Sequence, residues 1–216
     1  MRSGWGIRIS LLFPVLVLAM LALPRFNAGF LREKAFPATD YIETDTPLAP
    51  ATYRDVARLL AGASHDDSET ALLQAEAAIN AGAVPASLIP EVEHALSNSP
   101  LSARGWIILA SLLTDIDRHK AAAAFLMALN LAPREYYLVL PRLLVGAPLW
   151  AELPDPARAK LLSDIQGLAN DQSRRGQLRL LLMRRGGADL LLRAFAGRPE
   201  TLRELNRDLA RGRLGL

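Results

Sequence analysis

The side chains able to do chemistry are few and scattered. Histidine occurs three times, at 65, 94 and 119, and cysteine not at all. Without cysteine there is no disulfide framework, no thiolate metal site and no thiol nucleophile. Glu91-Val92-Glu93-His94 sets a carboxylate and an imidazole one helical turn apart, the spacing used by di-iron bundles. Such a centre needs a second copy on a facing helix, and none follows, so the motif reads as a solvated helix face. Asp66-Asp67 and Asp115/Asp117 could share a proton only if folding joined them. Each pair falls at a turn or helix start, where the positive end of a helix favours a carboxylate. Gly-x-Ser-x-Gly, glycine-rich phosphate loops and His-Glu-x-x-His are all missing. The sequence therefore assigns no catalytic residue, no cofactor and no metal, and reads as a non-enzyme.

Binding is the better-supplied chemistry. The formal charge of +3 is unevenly spread. Residues 38–173 carry a net −8, while residues 174–216 carry a net +7 built from eleven arginines and no lysine. Arg174-Arg175 and Arg184-Arg185, with leucines between, offer guanidinium groups to an anionic lipid, an acidic polysaccharide or an acidic protein surface. Interleaved aromatics of the kind that stack on bases are lacking, so nucleic acid is not an expected partner. The competing reading makes these arginines ordinary solvated faces, some paired with the acidic middle of the chain. Tyr136-Tyr137 completes the set of partner-binding candidates (Tyr136, Tyr137, Arg174, Arg175, Arg184, Arg185), and neighbours on a helix cannot face one way. Trp106 is assigned to the core.

These residues must be positioned by helices. Apolar positions recur at helical spacing over residues 51–61 (Tyr53, Val56, Leu59, Leu60) and 68–80 (Leu72, Leu73, Ala75, Ile79), the latter opened by Asp67-Ser68 and closed by Gly82. A third helix is expected over 85–96, with a kink or late start at Pro90. Further helices are expected over 134–145, 156–170, 172–185, 188–196 and 199–211. No stretch alternates with period two and β-branched residues, so strands are not expected.

Two segments echo each other. One ends Ala95-Leu96-Ser97-Asn98-Ser99-Pro100 and the other Ala128-Leu129-Asn130-Leu131-Ala132-Pro133. Residues 102–133 resemble a tetratricopeptide repeat. Trp106, Leu109, Ala110 and Leu113 match its first helix, and Ala121 or Ala122, Phe125, Ala128 and Pro133 its second. The resemblance covers about residues 66–133. It departs from the family in having one residue fewer between the helices and Asp115-Ile116-Asp117-Arg118 in place of a glycine-containing turn. It implies a protein–protein scaffold.

The N-terminus supplies the expected location. Ile9 to Leu23 is uncharged and flanked by Arg8 and Arg25, with Trp5 at an interfacial position. No small-x-small cleavage site follows it, so an uncleaved signal-anchor is expected rather than a removed signal peptide. Its short N-terminal tail favours a single pass in the inner membrane, with the remainder in the periplasm. The expected architecture is all-α and TPR-like. It runs from a membrane anchor (1–34) and a Pro-rich linker (35–50) to helical repeats (51–147) and an Arg/Leu-rich helical cap (148–216). The expected function is that of an adaptor holding a bacterial envelope assembly, with surface polysaccharide synthesis or export as one candidate pathway. A hydrolase built on the acidic residues, or a soluble helical protein with its first helix buried, are the competing readings.

Overall fold

A computed structural model of the chain describes residues 49–61 and 67–210, and in addition residues 20, 22, 26, 28–31 and 33. The described residues form helices and turns, with no strand among them. The expected anchor, Ile9 to Leu23, and the linker of 35–50 lie almost wholly outside the described residues. Among those described, no helix is long and apolar enough to cross a membrane.

Five helices make the first half: α1 (Pro50–Ala61), α2 (Ser68–Asn80), α3 (Pro85–Asn98), α4 (Ala103–Leu113) and α5 (Arg118–Leu131). Their starts are written in short polar side chains. Asp67 accepts from the Thr70 N–H at 3.0 Å, Ser102 from the Gly105 N–H at 3.1 Å, and Asp117 from the Lys120 N–H at 3.0 Å. Each cap satisfies a backbone donor that the first turn leaves unpaired. Gly82, in the left-handed region at φ +87°, ends the turn after α2. A late start at Pro90 does not occur: helix α3 begins at Pro85 and continues through Pro90. Pro90 lies in its second turn, so the helix runs on without one backbone bond there.

Each helix packs on the next, and α4 also touches α2 before it and α6 (Val139–Gly146) after it. Small residues allow this closeness. A Cβ on Gly105 would stand 2.8 Å from the Leu96 side chain and 3.0 Å from that of Leu72. Helix α4 is accordingly buried on nearly every side, through Ile107, Ile108, Leu109, Ala110, Leu112 and Leu113. Trp106, assigned to the core by its spacing, is only half-buried. Its indole N–H donates to the Pro100 carbonyl at 2.8 Å, which turns the ring toward the α3–α4 turn.

The second half is shorter-jointed. A 3-10 turn, Tyr136–Leu138, leads into α6, and another, Trp150–Glu152, precedes α7 (Asp155–Asn170). The single helix expected over 172–185 is broken into a turn, a 3-10 segment (Arg175–Gln177) and a short α8 (Leu178–Leu182). The physical cause lies at Asp171. Its carboxylate accepts from the Ser173 N–H at 3.0 Å and the Ser173 hydroxyl at 2.6 Å, while its carbonyl takes the N–H groups of Arg174 and Arg175. That local turn competes with helix. Gly186 (φ +77°) and Gly187 then reverse the chain into α9 (Gly187–Ala194). A Cβ on Gly187 would lie 1.8 Å from the Leu181 carbonyl oxygen. Helix α10 (Pro199–Ala210) adds Leu205 to the core.

One large apolar cluster runs from α2 to α10, and a smaller one joins α1 to α2 through Tyr53, Val56, Leu60, Leu73 and Ala77. Leu140, Leu143, Leu161 and Ile165 are fully buried, each contributing roughly 1.5–3 kcal/mol by leaving water. Among them sits Arg142, 1 % exposed. Its Nε donates to Asp164 at 3.0 Å, and its Nη1 donates to the carbonyls of Ala132 (3.0 Å) and Glu135 (3.4 Å). Lys160 holds the other oxygen of Asp164. In the sequence this pair is marked by a charge inside the apolar run Val139-Leu-Pro-Arg-Leu-Leu-Val145.

Candidate binding groove

The helices α2, α4, α6 and α8 stand side by side, each touching the next. Along that row runs a groove of about 490 Å³. Helices α2 and α6 line it with residues spaced i, i+3, i+4, which share one helical face, and α8 with the turn after it supplies a third set. These are Glu76, Ile79 and Asn80; Pro141, Leu144 and Val145; and Leu180, Met183 and Arg184. Helix α4 contributes Ile107, Ile108 and Ser111, and Tyr53 of α1 closes one end. The lining is mostly apolar with a few polar groups (Tyr53, Glu76, Asn80, Ser111, Arg184), an arrangement that takes apolar side chains and orients them by a few polar contacts.

The charges at the two ends differ. Glu76 accepts from Arg104 Nε at 2.9 Å and lies 2.6 Å from its terminal nitrogen, so its carboxylate is already paired within the protein. Arg184 at the far end is exposed. The groove therefore grades from a neutralised carboxylate to a guanidinium facing water.

The six expected binding residues separate into five settings. Arg184 lines the groove, and Arg185 beside it is exposed on the outer side. Tyr137, half exposed, lines a second cleft of about 760 Å³ between α2, the α3–α4 turn and the end of α5. Tyr136 and Arg174 belong to one cluster. The guanidinium stacks on the phenol ring at 3.8 Å, its Nη1 donates to the Tyr136 carbonyl at 3.3 Å, and the Tyr136 hydroxyl donates to Asp171 at 2.7 Å. The Ser173 hydroxyl, and after it that of Tyr136, hold the Asp171 carboxyl below its ordinary value. Arg175 donates to the Ala169 carbonyl at 2.8 Å, closing the end of α7. Thus Arg174 and Arg175 face the chain's own backbone, while Arg184 and Arg185 face outward.

Of the acids weighed for catalysis, Asp67 caps α2 through the Thr70 N–H; Asp66 lies outside the described residues. Asp117 caps α5, held below its usual value chiefly by the Lys120 N–H. His94 is exposed, 3.4 Å from Asn98, on the outer side of α3. Among the described residues, no group of three or more His, Cys, Asp or Glu is gathered as a metal site would need. Comparison with family models, with curated proteins and with solved structures returns no match.

The groove residues other than Arg184 were not singled out from the sequence. Their signal is the repetition of i, i+3, i+4 triples, mixed polar and apolar at residues 76–80 and 180–184 and apolar at 141–145. That pattern has meaning only once alternate helices are known to stand in a row.

Proposed function

We propose that this protein is a TPR-like adaptor, tethered to the inner membrane by residues 9–23 with its helical domain in the periplasm, that holds a peptide segment of an envelope partner in the groove. The observation that carries this reading is the row of four alternate helices presenting one face each to a single groove. A mostly apolar lining favours a segment with two or three large apolar side chains, and the exposed Arg184 favours an acidic residue at that end. The tether rests on the uncharged run flanked by arginines, and the adaptor role on the helix-pair repetition around Trp106 and Phe125.

The test uses photo-crosslinking in intact membranes. A crosslinking residue replaces Leu144 or Met183 in the groove, or Met127 on α5 as a position outside it. Expected is one partner captured at 144 and 183 and not at 127, with capture competed by a synthetic peptide of the crosslinked partner segment. Arg184→Glu, with helicity intact by circular dichroism, is expected to weaken that peptide by roughly tenfold or more, the loss of one charge-assisted contact plus a like-charge repulsion. Equal capture at 127, or no competition by the peptide, would remove the groove from the binding function.

A further inference from the structure

Residues 174–198 hold seven arginines and a single acid, Asp189. Helices α8 and α9 pack on α7 and on each other by one stripe each, burying Leu178, Leu181, Leu190 and Leu191. The opposite stripes face water. On α8 these are Arg179 and Leu182, with Met183 just past it at the rim of the groove, and on α9 they are Asp189, Leu192 and Arg193 at i, i+3, i+4. Leu182, Met183 and Leu192 are 39 %, 68 % and 55 % exposed. The outward side of this hairpin is thus both apolar and cationic. Asp189 sits in the first turn of α9, where the helix end offsets its charge.

Solubility explains the arginines but not three exposed large apolar side chains within eleven residues of one another. A surface that must meet both hydrocarbon and anionic phosphate needs this combination. Guanidinium groups bond phosphate oxygens in pairs, and leucine or methionine tips enter the boundary between headgroups and acyl chains. Base stacking lacks its aromatics here: Phe195 is buried, and Trp150 lies between Arg158 and Arg193, at 5.7 and 5.5 Å.

We propose that the outward side of the α8–α9 hairpin rests on an anionic lipid surface, with Leu182 and Leu192 at the acyl boundary and Arg179 and Arg185 on lipid phosphates. None of these four residues lines the groove, so this surface stands or falls separately from peptide binding. It gives the domain a fixed orientation on the bilayer.

The absence of cysteine makes the test clean. Full-length chains carrying Leu182→Cys, Leu192→Cys or, as reference, Met127→Cys are labelled with an environment-sensitive fluorophore. They are then mixed with or reconstituted into vesicles of phosphatidylcholine alone or with phosphatidylglycerol. Expected is a blue shift at 182 and 192, with quenching by a nitroxide placed high on the acyl chain, only where phosphatidylglycerol is present and salt is low. The label at 127 stays unchanged. Arg179→Gln with Arg185→Gln is expected to weaken the contact roughly 30-fold, at about 1 kcal/mol per basic residue. Labels at 182 and 192 that respond no more than the one at 127 would overturn the proposal. So would a response to a soluble polyanion that vesicles fail to produce, which would transfer the surface to an acidic polymer.

Discussion

The two halves of this molecule close their helix ends by different means. In the first half the closures are local: Asp67, Ser102 and Asp117 each bond an N–H three residues ahead. In the second half long side chains reach back across the fold to carbonyl groups. Arg142 takes those of Ala132 and Glu135, Arg158 those of Trp150 and Ala151, Arg174 that of Tyr136, and Gln166 that of Ala194. Arg118, at the start of α5, spans the halves through Glu152 and the Pro148 carbonyl. The difference teaches why one half is regular and the other irregular. A local cap allows a helix of any neighbour, whereas short helices and 3-10 turns expose carbonyls that only a partner from elsewhere can meet. The arginine richness beyond residue 141 is in part this structural demand.

Breaking the long-range closure should have the largest effect. Arg142→Met leaves Asp164 buried with Lys160 alone and frees two carbonyls, for an expected loss of about 3–5 kcal/mol in denaturant unfolding. Arg142→Met with Asp164→Leu together is expected to recover much of that loss, since neither charge then stays buried unpaired. A single replacement costing no more than a surface change would show that the second half does not depend on this pair. Breaking a local closure should do less. Asp117→Ala is expected to cost about 1 kcal/mol, read in the same unfolding experiment. The smallest effect belongs to the link between halves. Hydrogen bonding from Arg118 holds the Glu152 carboxyl below its ordinary value of 4.5. Its contribution is therefore complete at neutral pH and is lost as pH falls from that value through the lowered one. Glu152→Gln should lower the neutral-pH melting temperature slightly, by less than about 1 kcal/mol in stability, and flatten that acid slope. An unchanged slope would mean the halves are held together without this pair.

The same contrast explains what could be read in advance. Helices with local punctuation were legible: Asp67 and Gly82 bracket α2, and Ser102 and Asp117 open α4 and α5, all within a few residues of the ends they fix. The segment of 172–185 was not, because its leucines keep helical spacing while Asp171 and Ser173 take the backbone elsewhere. Trp106 packs against the core as its spacing implies, with part of the ring exposed and its indole N–H on the Pro100 carbonyl. Arg142 is marked only by being a charge within an apolar run; its partner lies 22 residues on, and only the packing of α6 against α7 joins them. The groove was illegible for a like reason, since it belongs to four helices separated by the others in sequence. Of the six binding candidates, charge and aromaticity found the side chains, but their outward or inward facing was decided by the turns around them.

Helix α1 is joined to the rest through its own small cluster, in which only Leu73 and Ala77 belong to α2. In a row of stacked helices, stability is the sum of neighbouring interfaces, and the small cluster at α1 is a separate interface from the main core. The opening of α1 is therefore a local event, distinct in free energy from melting the main core. Tyr53 is what α1 lends to the groove wall. An opening of α1 would remove that phenol, so one wall of the groove depends on a cluster separate from the core that carries the rest.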